Sequence, residues 1–240
     1  MTIIYAHRGA SGVCPENTMA AFAKAIEMGA HGIETDVQMS KDGVLVLCHD
    51  ERLERTTDGR GLLAEHTWEE LRRLDAGSWF APSFAGERLP RLEDLLALVA
   101  GTKLLLNLEL KSGMVLYPGI EAKVVALIKD YGLRGRVLIS SFNHFSLVEV
   151  KRLDPEIETG ILYMEGLVDP WLYARHIGAD ALHPLFYGVT PEIVAGAHAA
   201  GLRVNAWTVD EPAQAKALIQ AGVDGLITNH PDRLLGLPAG

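Results

Sequence analysis

The stretch Leu104-Leu-Leu-Asn-Leu-Glu-Leu110 is followed by Gly119-Ile-Glu-Ala-Lys-Val-Val-Ala-Leu-Ile-Lys-Asp-Tyr131 and then by Arg136-Val-Leu-Ile-Ser140. The first and third segments are short apolar runs of strand length, and the middle one places its apolar residues at helical spacing. Strand, helix, strand in this order is the unit of a parallel sheet, whose neighbouring strands need a helical crossover. The same alternation runs along nearly the whole chain. Further strands are expected at Ile3 to Ala6, Gly32 to Val37, Glu158 to Tyr163, Ala181 to His183, Arg203 to Val209 and Gly225 to Thr228. Helices are expected at Asn17 to Met28, His144 to Leu153, Pro170 to Ile177, Pro191 to Ala200, Glu211 to Ala221 and Pro231 to Leu235. About eight such units in about 250 residues is the tally of a TIM (β/α)₈ barrel. A doubly wound open sheet is the alternative that strand counting leaves standing.

Local chemistry marks the boundaries. Thr190-Pro191 and Asp210-Glu211-Pro212 supply a capping oxygen and a first-turn proline, while Gly29, Gly132, Gly201 and Gly222 stand where helices should stop. One region breaks the rhythm. Val44 to Asp50 reads as a strand antiparallel to the second across a Lys41-Asp42-Gly43 turn, and Glu51 to Pro90 is too long for a simple connection. It is expected to be an excursion over one barrel mouth, carrying Trp68 and Trp79, with the regular pattern resuming as a helix after Pro90. The expected organisation is one domain over 1–240 with an insertion at about 51–90 after the second strand.

Composition narrows the function. The chain has 240 residues, 48% hydrophobic and 22% charged, so it can bury a sizeable core and is not a disordered tail. Twenty-two basic against 31 acidic residues leave a formal net charge of −9, which disfavours nucleic acid and anionic membrane surfaces as partners. No apolar run approaches the roughly 18 residues that suggest a membrane span. Met1-Thr-Ile-Ile-Tyr-Ala reads directly as a first strand, so a cytoplasmic address without stable membrane association is expected. Two cysteines, Cys14 and Cys48, are too few for a disulfide scaffold and read as ordinary thiols.

Candidate chemistry collects at strand ends, where barrels keep their active sites. His7-Arg8-Gly9 ends the first strand, with an imidazole that could move a proton and a guanidinium that could grip an anion in two places. Glu34 and Asp36, two apart on a strand, face the same side, and Glu109 and Lys111 do so on the next. Carboxylates held together call for a cation or a basic side chain between them, and an oxygen-only set suits Mg²⁺ or Ca²⁺ better than Zn²⁺. Each pair taken alone also reads as a salt-bridged strand end; counted together they favour a divalent ion. Cys48-His49-Asp50 adds a second imidazole, with Asp50 either orienting it or capping the next turn. Asn205 and Trp207 share a face near the seventh strand's end, Asn229 ends the last, and His183 reads as structural or as pocket wall.

Taken together, His7-Arg8-Gly9, Pro15-Glu16-Asn17-Thr18, Glu34-x-Asp36, His49-Asp50, Arg55-Thr56-Thr57 and Glu109-Leu110-Lys111 closely resemble the glycerophosphodiester phosphodiesterase family, and Val204-Asn205-Ala206-Trp207-Thr208-Val209 resembles its later barrel segment. The size is similar to that of the compact bacterial cytosolic members. The resemblance implies a TIM barrel that hydrolyses diesters such as glycerophosphocholine or glycerophosphoethanolamine to glycerol 3-phosphate and an alcohol. It implies one divalent cation, Mg²⁺ or Ca²⁺, on Glu34, Asp36 and Glu109, and His7 and His49 as the acid and base pair. Arg8 and Lys111 are implied as phosphate ligands, with Asn17 and Trp207 also touching substrate. Cys14 and Arg91 depart from the family pattern without touching a proposed ligand. Three rivals are weighed against this reading. A metal amidohydrolase would want a His-x-His pair where Tyr5 and His7 stand. A lysophospholipid or phosphoinositide-type phosphodiesterase would use the same residues, with the apolarity of the excursion as the deciding feature. A non-catalytic phosphate-binding barrel would be expected to have lost some of these groups.

Overall fold

A computed structural model describes residues 1–237; the last three residues of the expected 1–240 domain lie outside the described residues. The chain forms β1 (Ile3–His7), α1 (Met19–Met28), β2 (Gly32–Met39), β3 (Leu45–Leu47), a four-residue α2 (Trp68–Leu71) and α3 (Leu92–Ala100). It continues through β4 (Leu105–Leu110), α4 (Ile120–Asp130), β5 (Val137–Ser141), α5 (His144–Leu153), β6 (Glu158–Tyr163) and α6 (Pro170–His176). The last elements are β7 (Ala181–Pro184), α7 (Pro191–Ala199), β8 (Arg203–Ala206), α8 (Pro212–Ala221), β9 (Gly225–Thr228) and α9 (Pro231–Leu234).

All strands but β3 run parallel in the order β1-β9-β8-β7-β6-β5-β4-β2, and β1 also pairs with β2. That last pairing, with Tyr5 beside Gly32 and His7 beside Glu34, closes the sheet and eliminates the open-sheet alternative. The closed eight-stranded barrel is therefore the expected TIM fold. β3 lies outside it, antiparallel to β2 with Leu47 opposite Val37.

Register and alternation decide what the barrel encloses. Tyr5 sits level with Gly32, and His7 with Glu34, Asn107 and Leu138. One step up, Asp36 sits level with Glu109 and Ser140. These residues face inward, whereas Ile33, Val37, Leu106, Leu108 and Leu110 face outward and pack with the helix residues Phe22, Leu95 and Ile128. The interior makes room by alternating large and small residues: a Cβ on Gly32 would stand 2.6 Å from the Tyr5 ring, and one on Gly160 would stand 2.5 Å from His183 Nε2.

Among the described residues the segment after β3 contains α2 and three short 3₁₀ turns, at Leu53–Arg55, Leu63–Glu65 and Pro82–Phe84. It folds over its own small core of Leu53, Leu63, Leu71, Ala76 and Leu89, joined to the barrel by Val46 of β3, whose neighbours Leu45 and Leu47 point into the main core. Both cysteines are free and buried. No helix among the described residues is long and apolar enough to cross a membrane.

Two boundary expectations are corrected. The strand expected over Arg203 to Val209 ends at Ala206, because Trp207 turns to pair with Leu185 while the Val209 amide donates to the Ile227 carbonyl. Thr190 caps α7 by accepting from the Ile193 amide, but Asp210 does not cap α8: Glu211 holds the N-cap position and the Asp210 carboxylate turns toward Asn229.

Phe22 is fully buried between α1 and the sheet, so Phe22→Ala should cost about 3–5 kcal/mol in denaturant unfolding. Thr190→Ala, which removes only a cap, should cost about 1 kcal/mol. Equal losses would mean that the outer layer is not packed as described.

Candidate active site

Glu34 and Asp36 on β2 and Glu109 on β4 project into the barrel mouth, each offering one carboxylate oxygen within 4.8 Å of the others. Burial, reinforced by Asp36 and Glu109, raises the Glu34 pKa well above its ordinary value. Burial and the Asp36 charge likewise raise Glu109, to about 7, although the Lys111 ammonium lies 3.0 Å from its Oε1. Asp36 goes the other way: against burial, Arg8 above all, then His49, Lys111 and the Asn17 amide, hold it down at about 2. Asp36 Oδ1 and Asn107 Oδ1 are buried without a hydrogen-bond partner among the described residues. A cluster of hard oxygen donors with more negative charge than its surroundings neutralise, and with lone pairs unspent, fits a divalent cation of the Mg²⁺ or Ca²⁺ kind.

The loop after β1 supplies the cationic side of the mouth. Arg8 adopts a left-handed φ of 55°, a costly conformation for a side-chain residue, and in it the Arg8 amide donates to Glu34 Oε2 at 3.0 Å. Its guanidinium places Nη1 2.9 Å from Glu16 and Nε 3.3 Å from Asp36. Gly9 follows at φ 79°, and a Cβ there would meet Ala21 of α1 at 2.7 Å, so only glycine lets the loop lie this close to the helix.

His7 ends β1 with Nε2 3.8 Å from Glu34 Oε2 and Nδ1 2.7 Å from Asn229 Oδ1. Burial and the Arg8 charge lower its pKa to about 4, so it is uncharged near neutral pH. His49 comes from the segment after β3. Its backbone neighbourhood is held by the buried Gln38 amide, which donates to the carbonyls of Cys48, His49 and Asp50, while Tyr117 donates to Gln38 Oε1. His49 Nδ1 lies 2.5 Å from Asp50 Oδ1, which resolves the two uses weighed for Asp50 in favour of orienting the imidazole. Arg55 holds Asp50 through Nε and Nη2 and reaches Glu16 at 2.7 Å, so one chain of charges links His49 to Arg8.

His7, Arg8, Glu34, His49, Glu109 and Trp207 thus line one cavity, together with Asn107, Ser140, Phe142, Leu162 and Ile227. Trp207 stands edge-on to Phe142 at 5.6 Å and donates its indole N–H to the His183 carbonyl. Lys111 does not line this cavity and is paired to Glu109. Asn17, expected to touch substrate, is instead buried behind Asp36, donating to its Oδ2 at 2.8 Å and accepting from Thr35 Oγ1 at 2.6 Å. Its backbone adopts a left-handed φ of 54°, which sequence alone does not reveal. His183 is fully buried with Nε2 against the Asn205 amide, as a structural imidazole should be. Asn107 and Gln38, to which the sequence assigns no role, share the strand parity of Glu109 and Glu34, the signal that could find them.

The sequence signature of the glycerophosphoryl diester phosphodiesterase family matches residues 7–233. The chain is 49% identical to a glycerophosphodiester phosphodiesterase of Caldanaerobacter subterraneus over 98% of its length and 97% of that protein's, and 44% identical to one of Bacillus altitudinis over 97% and 96%. Its structure is similar, with a TM-score of 0.87 and 33% identity, to an Oleispira antarctica phosphodiesterase solved in complex with the product sn-glycerol-3-phosphate, covering 98% of this chain and 95% of that one. A glycerophosphodiester phosphodiesterase from Agrobacterium tumefaciens superposes with the same TM-score at 32% identity, covering 99% and 100%.

The raised Glu109 carboxyl has a consequence for stability. Between its unfolded value of 4.5 and its folded value of about 7 the folded state holds a proton that the unfolded chain releases, so the ionised carboxyl weakens the fold at higher pH. In chelator, Glu109→Gln should therefore raise Tm over the parent at about pH 8, and that gain should shrink by about pH 5.5. A Tm difference independent of pH would contradict the assigned shift.

Proposed function

The chain belongs to the glycerophosphoryl diester phosphodiesterase family and is a hydrolase of glycerophosphodiesters, and from that premise we propose that it is metal-dependent and releases glycerol 3-phosphate by histidine acid–base catalysis. The observation that carries this reading is the meeting of His7 and His49, from separate segments, in one cavity with Glu34 and Glu109 of the carboxylate cluster. The product bound to the Oleispira antarctica relative supports glycerol 3-phosphate as the product here.

A divalent cation held by Glu34, Asp36 and Glu109 would supply positive charge for the non-bridging phosphate oxygens, where the transition state gathers charge. Arg8 and Lys111 serve the same oxygens, and their present partners, Glu16, Asp36 and Glu109, aim them without consuming every donor. Each catalytic imidazole has Nδ1 engaged, on Asn229 or on Asp50, which leaves Nε2 to work on substrate. One takes a proton from the nucleophile, water or the glycerol 2-hydroxyl, and the other delivers one to the leaving alkoxide. Trp207 and Phe142 wall the space beside them. The proposal places this activity in the cytoplasm on a small-molecule substrate, in a single domain whose insertion at 51–90 carries Arg55, which holds His49's partner Asp50.

A second reading rests on a different observation. Exposed large apolar side chains crowd one arc of the mouth, with Met114 and Leu116 after β4, Phe142 and Phe145 after β5, Met164 and Val168 after β6, and Tyr187 after β7. Phe142 also borders an adjoining aromatic pocket with Phe145 and Tyr173. The excursion, expected to hold the deciding apolar surface, contributes only Trp79 to this exposed set. An acyl chain leaving the cavity would find its cover on this arc, so lysophospholipids are the alternative substrates.

Purified protein should release glycerol 3-phosphate from glycerophosphocholine with Mg²⁺ or Ca²⁺ and lose this in chelator, with Glu34→Ala inactive. His7→Ala and His49→Ala should each lower turnover on the order of 10²- to 10⁴-fold. Metal-independent release, or normal rates in either histidine variant, would sink the mechanism. Lysophosphatidylcholine separates the two substrate readings: preference for it, weakened selectively by Phe145→Asp, would put the lipid reading first.

A further inference from the structure

We propose that Asn229 and Asp210 are positioning residues for the reaction, holding His7 in the Nδ1–H tautomer so that Nε2 faces the site as the free nitrogen. The inference rests on the reading of His7 as a proton-transfer residue. Its structural half can be tested without any assay.

The geometry leaves little choice of hydrogen positions. Asp210 lies in the turn between β8 and α8, where its carboxylate collects three donors: Thr228 Oγ1 at 3.0 Å, the Asn229 amide at 2.8 Å and Asn229 Nδ2 at 2.7 Å. A carboxylate accepts and does not donate, so the side-chain amide of Asn229 must turn its NH₂ toward Asp210. Turning the amide over would set two acceptor oxygens against each other. Asn229 Oδ1 therefore faces His7, with Nδ1 at 2.7 Å and Ser11 Oγ at 2.9 Å. A carbonyl oxygen only accepts, so both neighbours donate to it, and the hydrogen of a neutral His7 ring sits on Nδ1.

The remaining nitrogen, Nε2, carries the lone pair and points to Glu34 and the cavity. The surrounding loop is held in the same way. The Gly12 amide donates to the Asn229 carbonyl at 2.9 Å, and a Cβ on Gly12 would stand 2.3 Å from the His230 ring. The β1 loop is thus seated on the end of β9, and the ring orientation is set from that neighbouring strand.

This arrangement also explains why an Asp-Glu-Pro helix start leaves its aspartate uncapping. Asp210 and Asn229 do not line the cavity, so their effect on turnover must pass through His7. His49 is oriented differently, directly by the Asp50 carboxylate.

Long-range proton–nitrogen correlation spectra of the labelled wild-type protein, with His7 identified by the signal missing in His7→Gln, should show a protonated Nδ1 and an unprotonated Nε2. Asn229→Ala and Asp210→Ala should scramble that pattern and lower kcat by about 10- to 100-fold, with KM on glycerophosphocholine changed by no more than about threefold. The exchanged pair Asp210→Asn with Asn229→Asp keeps a donor facing an acceptor at every contact, and should recover both the spectrum and most of the lost turnover. A wild-type His7 protonated at Nε2 would overturn the proposal whatever the variants do, including a variant that fails to fold. Full kcat in Asn229→Ala, or no recovery in the exchanged pair, would overturn it as well. If the wild-type protein released no glycerol 3-phosphate at all, the activity reading would fail while the tautomer result still stood or fell by itself.

Discussion

Three carboxyl groups buried within a few ångströms of one another at a barrel mouth repel, and the architecture around them is arranged to contain that repulsion. Arg8 approaches from the β1 loop, Lys111 from the end of β4, and Asn17 donates from behind. Even so, Glu34 and Glu109 stay raised above their ordinary pKa range, so the balance is left incomplete toward the cavity. The imbalance is what makes the site receptive to a cation and to an anionic diester together, since each offsets part of what the other brings. A fully neutralised cluster of the same residues would be a structural salt bridge and little else.

The insertion after β3 adds the second half of the site. Its small core is joined to the barrel through Val46, and Gln38 ties the backbone from Cys48 to Asp50 down to β2. His49 is therefore presented by a segment that folds on its own contacts but is anchored next to the carboxylates. Arg55 and Glu16 then connect His49 to Arg8 through Asp50. The two imidazoles reach the cavity from separate supports, one braced by a carboxylate and one by an amide.

Much of this was legible in the sequence. The parity of Glu34 and Asp36, and of Glu109 and Lys111, placed each pair on one side of its strand, and the observed register sets Asp36 beside Glu109. The eight-unit rhythm pointed to the barrel, and Thr190 caps α7 as its position before Pro191 predicts. Asn17 read differently: a motif residue expected at the substrate is buried and donates to Asp36, with its backbone in the left-handed region. Asp210 read as a cap and is instead bound to Asn229 at the end of the neighbouring strand β9, a partner 19 residues later.

The difference lies in range. Alternation along a strand, helical spacing and capping depend on residues a few positions apart, so the sequence by itself determined the parallel α/β plan, the shared side of the carboxylates on each strand and the strand ends that carry them. Closure of the sheet, the seating of the β1 loop on β9 and the apolar arc beside the mouth depend on contacts between segments far apart in the chain. Those contacts form only when the strands close in one register, and for that reason the partners of His7, the burial of Asn17 and the side of the mouth that is apolar were decided by the tertiary structure alone.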